Sequence, residues 1–224
     1  MVPKSPLVFL DRDGTVTRDE NYYLGSQQNW KDLVEFLPGV VRGISCLNKY
    51  SIRPIIITNQ AGVALTGPAF NLLTEERMNL VNEYIKYRLA QEGAFIEGIF
   101  ACPFVDKDYV TRAMEKGRKV NPRYIQDGCI DLKPNTGLMK KAADSVGRVL
   151  GDSMIFMVGD RATDVQTGLN AGGEGILIAS PKTIELSDLK KTERLIRENP
   201  GRVYVAPNFN TAAEYILRRS GKTK

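Results

Sequence analysis

The chain has 224 residues, of which 42% are hydrophobic and 25% charged, and its formal net charge is +5. These values suit one large soluble α/β domain, or a domain plus a modest insert, and no apolar run approaches the roughly 20 residues that a membrane-spanning helix needs. The absence of histidine excludes Ser-His-Asp and Cys-His catalysis and every zinc site that contains histidine. The positive charge favours anionic partners, either phosphorylated metabolites or nucleic acid.

The cysteines and the amino-terminal residues indicate a cytoplasmic protein. The three cysteines, at positions 46, 102 and 129, are an odd number at wide spacings, which argues against a disulfide framework. The apolar run within MVPKSPLVFL has only about four residues, too few for the core of a signal peptide. We therefore expect a cytoplasmic location and no membrane partner.

Apolar runs alternate with helix-like segments along the chain. Strands are predicted, in chain order, at residues 7–10 and within RPIIITNQ, AFIEGIFAC, MIFMVGD, GILIAS and RVYVAP. Helices are predicted at residues 40–48, after the capping residue Thr74 as far as Leu89, at residues 136–147 and at residues 163–171. This alternation predicts a Rossmann-like, doubly wound and mostly parallel sheet with helices on both faces and no large cap domain.

Polar residues follow three of these predicted strands. They are Asp11 and Asp13 after the first strand, Thr58, Asn59 and Gln60 at the end of the second, and Asp160 at the end of the fourth. Each is typical of a turn or a helix cap when taken alone. Because ligands bind at the carboxyl ends of the strands in open α/β sheets, we expect these side chains to meet at one edge.

The first polar pair needs a compensating charge. Asp11 and Asp13 stand one residue apart in VFLDRDGTVT, so their charges repel each other unless a metal ion or a shared proton lies between them. A calcium loop of the EF-hand type is excluded, because Thr15 and Val16 occupy the positions where that loop needs Asp or Asn and then Gly.

Four ordered motifs, DRDGT, ITNQAG, LKPNTG and VGDRATD, resemble those of the haloacid dehalogenase-like (HAD) phosphohydrolases. The segments FLDRDGT, NYYL, FLPGV, TNQAGVA and KPNTGL are most similar to the heptose-bisphosphate and histidinol-phosphate phosphatase branch. The resemblance covers roughly residues 7–180. It implies a single HAD-like hydrolase domain over residues 1–224, with an insert at residues 102–129.

The resemblance implies a Mg²⁺-dependent phosphatase that works through an aspartyl-phosphate. Asp11 would be the nucleophile, and Asp13 would be first the general acid and then the general base. The Mg²⁺ ion would be held by Asp11, the backbone carbonyl of Asp13 and Asp160. Asp164, at the start of the following helix, would reach the ion or its waters.

The same resemblance implies a set of phosphate- and substrate-binding residues. They are Thr58, Asn59, Gln60, Lys133 and Arg161, with Lys133 acting as a point charge on the phosphoryl group. Arg161 is the least specific of these residues, because an arginine at a helix start is often simply solvated.

Two departures from the branch concern the substrate. Leu65 stands where heptose-bisphosphate phosphatases carry an arginine after the TNQ segment, and Leu132 stands where they carry another before the motif lysine. These losses argue against an unchanged heptose-bisphosphate substrate. We expect a small phosphorylated metabolite, such as a sugar phosphate or a bisphosphate similar to D-glycero-D-manno-heptose 1,7-bisphosphate. The alternatives are a histidinol-phosphate phosphatase and a nucleic-acid 3′-phosphatase or end-binding protein, although nucleic acid is the less expected partner.

The insert at residues 102–129 departs from the branch as well. Members of the branch often have a zinc loop that begins with CPHH, whereas Cys102 of this chain is followed by Pro103 and Phe104. Only Cys129 is available near the carboxyl end of the segment. Two thiols without a histidine predict no structural zinc. The segment is basic and contains Tyr109 and Tyr124, so it is either a solvated loop or a lid that recognises the substrate. We expect a monomer or a small homo-oligomer.

Overall fold

The computed structural model describes residues 5–19, 23–180, 183 and 187–223. The strands are β1 Pro6–Leu10, β2 Ile55–Asn59, β3 Leu65–Thr66, β4 Ile99–Cys102, β5 Lys119–Val120, β6 Met154–Gly159, β7 Glu174–Ile178 and β8 Val203–Ala206. The α-helices are α1 Val40–Lys49, α2 Glu75–Gln91, α3 Lys107–Glu115, α4 Gly137–Ser145, α5 Ala162–Asn170, α6 Asp188–Glu198 and α7 Phe209–Arg219. Short 3₁₀ turns occur at Trp30–Leu33, Ala61–Ala64, Pro122–Tyr124 and Leu150–Asp152.

A six-stranded parallel sheet with the order β4-β2-β1-β6-β7-β8 forms the centre of the fold. The chain runs from β1 through β2 to β4 at one edge, and then from β6 through β7 to β8 at the other edge. The winding direction therefore reverses between β1 and β6, and ligands bind at the carboxyl ends of strands at such a switch point. The predicted fold class is confirmed.

Alternate residues of the strands face apolar layers on opposite sides of the sheet, as the two-residue period of a strand requires. Val8 and Leu10 pack into a core shared with α1, α2 and α7. Leu7 and Phe9 pack into a second core shared with α4. Because both faces of β1 are buried, its sequence reads as a continuous apolar run rather than an alternating one.

Helix α2 begins as its sequence predicts. The hydroxyl of Thr74 accepts a hydrogen bond from the backbone N–H of Arg77 at 3.1 Å, and two glutamates occupy the first turn. The predicted apolar positions of this helix are buried, and the polar residue Asn82 is buried among them. This places one amide inside an otherwise apolar helix face.

The predicted third strand is too long at its amino end. β4 begins at Ile99, whereas residues 94–98 are not part of a strand. Ala94 and Ile96 are nevertheless buried in the first core, so the apolar run there reflects packing of a loop. The predicted elements also omit α3, α6 and α7. No helix within the described part of the chain is long and apolar enough to cross a membrane.

The segment 102–129 forms regular secondary structure, and many of its residues are exposed. It contains α3 and β5, and β5 pairs with β3 in a separate two-stranded antiparallel sheet. Val105 and Tyr124 belong to a small apolar cluster against which Tyr109 and Val120 pack. Part of the order of this segment therefore comes from aromatic and aliphatic packing.

Candidate active site

Three carboxylates meet at the switch point of the sheet. Asp11 follows β1, Asp160 follows β6, and Asp164 lies in the first turn of α5. Their side chains are buried, and one carboxylate oxygen from each lies within 4.8 Å of the others. The backbone N–H of Asp11 donates to the carbonyl of Val158 at 2.8 Å, so β1 and β6 remain paired up to the site.

Lys133 brings a buried cation to this cluster. Its Nζ donates to Asp11 Oδ1 at 2.7 Å and to Asp164 Oδ1 at 2.6 Å. The side chain of Asn59 holds the backbone of Lys133, since its Nδ2 donates to the carbonyl at 3.2 Å and its Oδ1 accepts from the N–H at 3.0 Å. The end of β2 therefore fixes the position of the lysine.

Burial and mutual repulsion make this cluster electrostatically demanding. Burial, together with repulsion from Asp164 and Asp13, raises the pKa of Asp11 to about 7, although Lys133 opposes the change. Burial and the neighbouring carboxylates raise the pKa of Asp160 to about 8. Burial alone would lower the pKa of Lys133, but its carboxylate partners outweigh this effect and hold that pKa above its ordinary value. The ionised cluster thus favours a second cation.

The contacts of Asp160 fit a divalent cation. Its Oδ1 is buried and has no hydrogen-bond partner among the described residues, which is costly for a carboxylate unless a ligand is bound. Gly14 lies directly beside it with φ +84°, and a Cβ there would stand 2.4 Å from Asp160 Oδ2. Mg²⁺ prefers oxygen ligands and is usually bound through one or two carboxylates, so these carboxylate oxygens suit that ion.

A separate network holds the carboxylate of Asp13. Arg12 donates from Nε to Oδ1 at 3.0 Å and from Nη2 to Oδ2 at 2.8 Å, while Thr17 donates to Oδ1 at 3.2 Å. Gln60 Nε2 donates to Oδ2 at 2.7 Å. Burial would raise the pKa of Asp13, but the charge and hydrogen bonds of Arg12, with those of Gln60 and Thr17, outweigh burial and hold it below its ordinary value.

A cavity of about 310 Å³ opens over these groups. Its lining includes all the predicted site residues, namely Asp11, Asp13, Thr58, Asn59, Gln60, Lys133, Asp160, Arg161 and Asp164. Tyr23 and Tyr109 add an aromatic rim, the second of them from α3. Their hydroxyls lie 3.4 Å apart, and Arg118 donates to Tyr23 at 3.1 Å. The segment 102–129 thus borders the cavity.

Comparison with known proteins identifies the family. A model of the HAD-hydrolase-like family matches residues 132–212. A D-glycero-alpha-D-manno-heptose-1,7-bisphosphate 7-phosphatase from Burkholderia mallei is 30% identical over 176 residues, which are 78% of this chain and 80% of the relative. The chain belongs to the HAD-like hydrolases.

Other comparisons agree with this assignment to the HAD-like hydrolases. The D-glycero-beta-D-manno-heptose-1,7-bisphosphate 7-phosphatase of Escherichia coli K12 is 29% identical over 185 residues, covering 82% of this chain and 84% of the relative. The crystal structure of D,D-heptose 1,7-bisphosphate phosphatase from B. bronchiseptica, complexed with magnesium and phosphate, has a TM-score of 0.66 at 24% identity. It covers 96% of this chain and 99% of that chain, and it supports the fold.

Two predicted binding residues of this HAD-like chain are engaged with protein groups. Gln60 contacts Asp13 and also donates to the hydroxyl of Thr58 at 2.9 Å. Arg161 donates from Nε to Asp188 Oδ2 at 2.6 Å, while its side chain stays 43% exposed beside the cavity. Asp188 also accepts from the backbone N–H of Ala162 at 3.1 Å, so it anchors the start of α5.

Three residues that were not predicted from the sequence contact site residues or their supports, namely Arg12, Asn82 and Asp188. The sequence does show an arginine between two motif aspartates and an asparagine within an apolar helix stripe, but it does not show that these two residues meet. Asp188 offers no comparable signal, because its contact with α5 depends on how α6 packs. Leu65, at one position where the branch carries arginine, is buried and is not part of the cavity lining.

Proposed function

We propose that the protein is a Mg²⁺-dependent phosphomonoesterase that hydrolyses a small sugar-like phosphate through an aspartyl-phosphate. The arrangement of three carboxylates carries this proposal. One carboxylate oxygen from each of Asp11, Asp160 and Asp164 lies within 4.8 Å of the others, and the buried Oδ1 of Asp160 has no hydrogen-bond partner among the described residues. Structural carboxylates are normally fully paired, whereas a site that binds a cation and a phosphate keeps such an oxygen available.

Asp11 supplies the nucleophile in the first step. A carboxylate oxygen of Asp11 attacks phosphorus and forms a new O–P bond, while the bond from phosphorus to the leaving-group oxygen breaks. Asp13 gives its proton to that oxygen, so an alcohol leaves. Arg12, Gln60 and Thr17 hold the pKa of Asp13 below its ordinary value before substrate binds, and the negative charge of an arriving phosphate favours its protonation.

Asp13 acts in the opposite sense in the second step. Its carboxylate removes a proton from a water molecule, whose oxygen attacks the phosphorus of the aspartyl-phosphate. The O–P bond to Asp11 breaks, inorganic phosphate leaves, and the carboxylate of Asp11 is restored. Splitting one displacement into two allows a single residue to serve as acid and then as base.

The remaining groups bind and neutralise charge. Asp11, the backbone carbonyl of Asp13 and Asp160 would hold Mg²⁺, with Asp164 reaching the ion or its waters. When bound, this ion offsets the negative charge of the phosphoryl oxygens. Lys133 adds a protonated amine fixed by Asn59, and Thr58 adds a hydroxyl at the end of β2. Because Thr58 belongs to β2 and Asn59 of the same strand fixes the backbone of Lys133, both donors are positioned before the substrate arrives.

The cavity and the relatives support a sugar-like substrate. A volume of about 310 Å³ suits a small metabolite, and Tyr23 and Tyr109 add aromatic rings to a mostly polar lining, as ligand pockets often do. The relatives from Burkholderia mallei and Escherichia coli K12 carry names that specify heptose 1,7-bisphosphate and its 7-phosphate. We therefore place heptose 1,7-bisphosphate first among the compounds to be tested.

A panel of phosphate esters tests the proposal. We would measure phosphate release in Mg²⁺ from heptose 1,7-bisphosphate, histidinol phosphate, a 3′-phosphorylated oligonucleotide and p-nitrophenyl phosphate. We expect the highest kcat/KM on a sugar phosphate, and no release after chelation of the metal or in Asp11→Asn. Preference for the oligonucleotide, with affinity falling steeply with salt, would favour the nucleic-acid alternative. Hydrolysis by Asp11→Asn near the wild-type rate would contradict the mechanism.

A further inference from the structure

Among the described residues, Arg12 is the largest fully buried side chain, with an exposed fraction of 1%. One edge of its guanidinium contacts Asp13, through Nε and Nη2. Its remaining nitrogen, Nη1, donates to the side-chain oxygen of Asn82 at 2.8 Å. A planar group held at both ends in this way has little freedom to rotate.

Asn82 lies in the middle of α2, 70 positions away from Arg12 and outside the four sequence motifs. It is 5% exposed and lies among the apolar residues Val81 and Ile85 of the buried helix face. Burying an amide in an apolar face costs free energy unless a partner is supplied, and the guanidinium of Arg12 is such a partner. The contact is therefore specific rather than a consequence of helix amphipathicity.

Gln60 does not hold Asp13 independently of this arginine. Its Oε1 accepts from Arg12 Nη2 at 2.7 Å, while its Nε2 donates to Asp13 at 2.7 Å and to Thr58 at 2.9 Å. The orientation of the Gln60 amide thus depends on where the guanidinium lies. A displacement of Arg12 would disturb two of the groups that contact the carboxylate of Asp13.

We propose that Asn82 is a positioning residue for the reaction, which acts through Arg12 to hold the carboxylate of Asp13 where it transfers a proton to the leaving group. The inference rests on the proposed phosphatase function. If Asn82 cannot accept a hydrogen bond, the buried Nη1 is left without a partner and the guanidinium turns to find one. Proton transfer is sensitive to such movement, since a misplacement of about 1 Å can cost roughly 10²-fold in rate.

Two variants at this position separate hydrogen bonding from packing. Asn82→Leu has a similar volume and no acceptor, whereas Asn82→Asp keeps an acceptor oxygen. Asn79→Leu is the matched control, because Asn79 belongs to the same helix and is exposed. For each variant we would measure kcat/KM on an alkyl phosphate and on p-nitrophenyl phosphate, together with the melting temperature.

The leaving-group dependence identifies the role. Since kcat/KM reports the steps up to departure of the leaving group, only the acid function of Asp13 enters it, and a good leaving group needs little protonation. We expect Asn82→Leu to lose about 10- to 100-fold on the alkyl ester and less than about threefold on the aryl ester, by the positioning sensitivity above. Asn82→Asp should stay within about threefold of wild type on both esters, and Asn79→Leu should be unchanged.

Other results would overturn the inference. Asn82 would have a purely structural role if Asn82→Leu lost activity equally on both esters or lost none on either. The same conclusion would follow if Asn82→Asp did not retain hydrolysis of the alkyl ester. If Asn82→Leu does not fold, Asn82→Ala carries the same prediction and is judged by the same ratio. A wild-type protein that hydrolyses neither ester would instead contradict the proposed function, so the two failures are distinguishable.

Discussion

Gly14→Ala tests whether the close approach of the backbone to Asp160 is needed for activity. Gly14 has φ +84°, and a Cβ built there stands 2.4 Å from Asp160 Oδ2 and 2.7 Å from its Cγ. Gly172 offers a matched control, since its φ is +80° and nothing lies within 4 Å of its Cβ position. Alanine at both sites carries the same backbone strain, but only Gly14→Ala collides with a carboxylate.

The two variants should lose a similar free energy of unfolding from backbone strain but should differ in phosphatase activity. A left-handed alanine costs about 1–2 kcal/mol, which lowers the melting temperature of a chain of this length by roughly 2–8 °C. In Gly14→Ala, moving Oδ2 from 2.4 Å to an ordinary contact of 3.4 Å shifts a proposed metal ligand by about 1 Å. We expect a loss of roughly 10²-fold in kcat/KM from that displacement, and no loss in Gly172→Ala.

Parallel assays of both variants decide the matter. Phosphate release is measured at several Mg²⁺ concentrations, and thermal melting is measured with and without the metal. Gly14→Ala should need more Mg²⁺ for half-maximal activity, whereas Gly172→Ala should match wild type in activity while sharing part of the stability loss. If Gly14→Ala retains wild-type kcat/KM and metal dependence, then the position of Asp160 does not matter for the chemistry.

Three further expectations concern metal binding, acid catalysis and thiol chemistry. Because burial raises the pKa of Asp160 from 3.8 to about 8, metal-free protein should lose stability as pH rises from about 4 to about 8. Asp160→Asn should reduce this pH-dependent loss of stability. It should also abolish the stabilisation by Mg²⁺, which is about 2.7 kcal/mol when the Mg²⁺ concentration is 100 times Kd. Asp13→Asn should lose roughly 10²–10⁴-fold in kcat/KM on alkyl phosphates and much less on p-nitrophenyl phosphate. Burial raises the pKa of Cys102 to about 12, so at pH 8 this thiol should react with disulfide reagents more slowly than the half-buried Cys46. Because two thiols without a histidine do not complete a zinc site, purified protein should contain no stoichiometric zinc.

Each of these expectations has a contrary result. Undiminished Mg²⁺ stabilisation of Asp160→Asn in thermal melts would remove that residue from the metal site. Equal losses of Asp13→Asn on alkyl and aryl esters would indicate another role for Asp13. Stoichiometric zinc in elemental analysis, or faster labelling of Cys102 than of Cys46 in peptide mapping, would mean that the thiols at positions 102 and 129 are not simply packed in the core.

The sequence predicts the site residues that directly follow apolar strand segments. Asp11 and Asp160 end apolar runs, and parallel strands bring such ends to one edge, so their meeting follows from the fold class. The extent of β4 is less predictable, since buried loop residues before Ile99 look the same as strand residues in sequence. Contacts such as Arg12 with Asn82 depend on how α2 packs over the first loop, which no local pattern encodes.

The segment 102–129 shows the same limit. Its basic composition is consistent with either a solvated loop or a lid that recognises the substrate, and the sequence alone does not choose between them. The pairing of β3 with β5 and the placement of Tyr109 at the cavity depend on long-range contacts. The part of this segment in substrate selection stays a prediction. Arg118→Ala would test it, because this variant removes the contact of Arg118 with Tyr23 and should change the order of kcat/KM values among phosphate esters.

Trapping the covalent intermediate tests the role of Asp11. Asp13→Asn is mixed with p-nitrophenyl phosphate and Mg²⁺, so that the aspartyl-phosphate forms readily but lacks the base that hydrolyses it. The reaction is quenched within a turnover, and borohydride then reduces the acyl phosphate to an alcohol, converting the modified aspartate to homoserine. Peptide mass spectrometry should find homoserine at position 11, and only after exposure to substrate. Release of p-nitrophenol without homoserine at position 11, or with homoserine at another aspartate, would contradict an aspartyl-phosphate on Asp11.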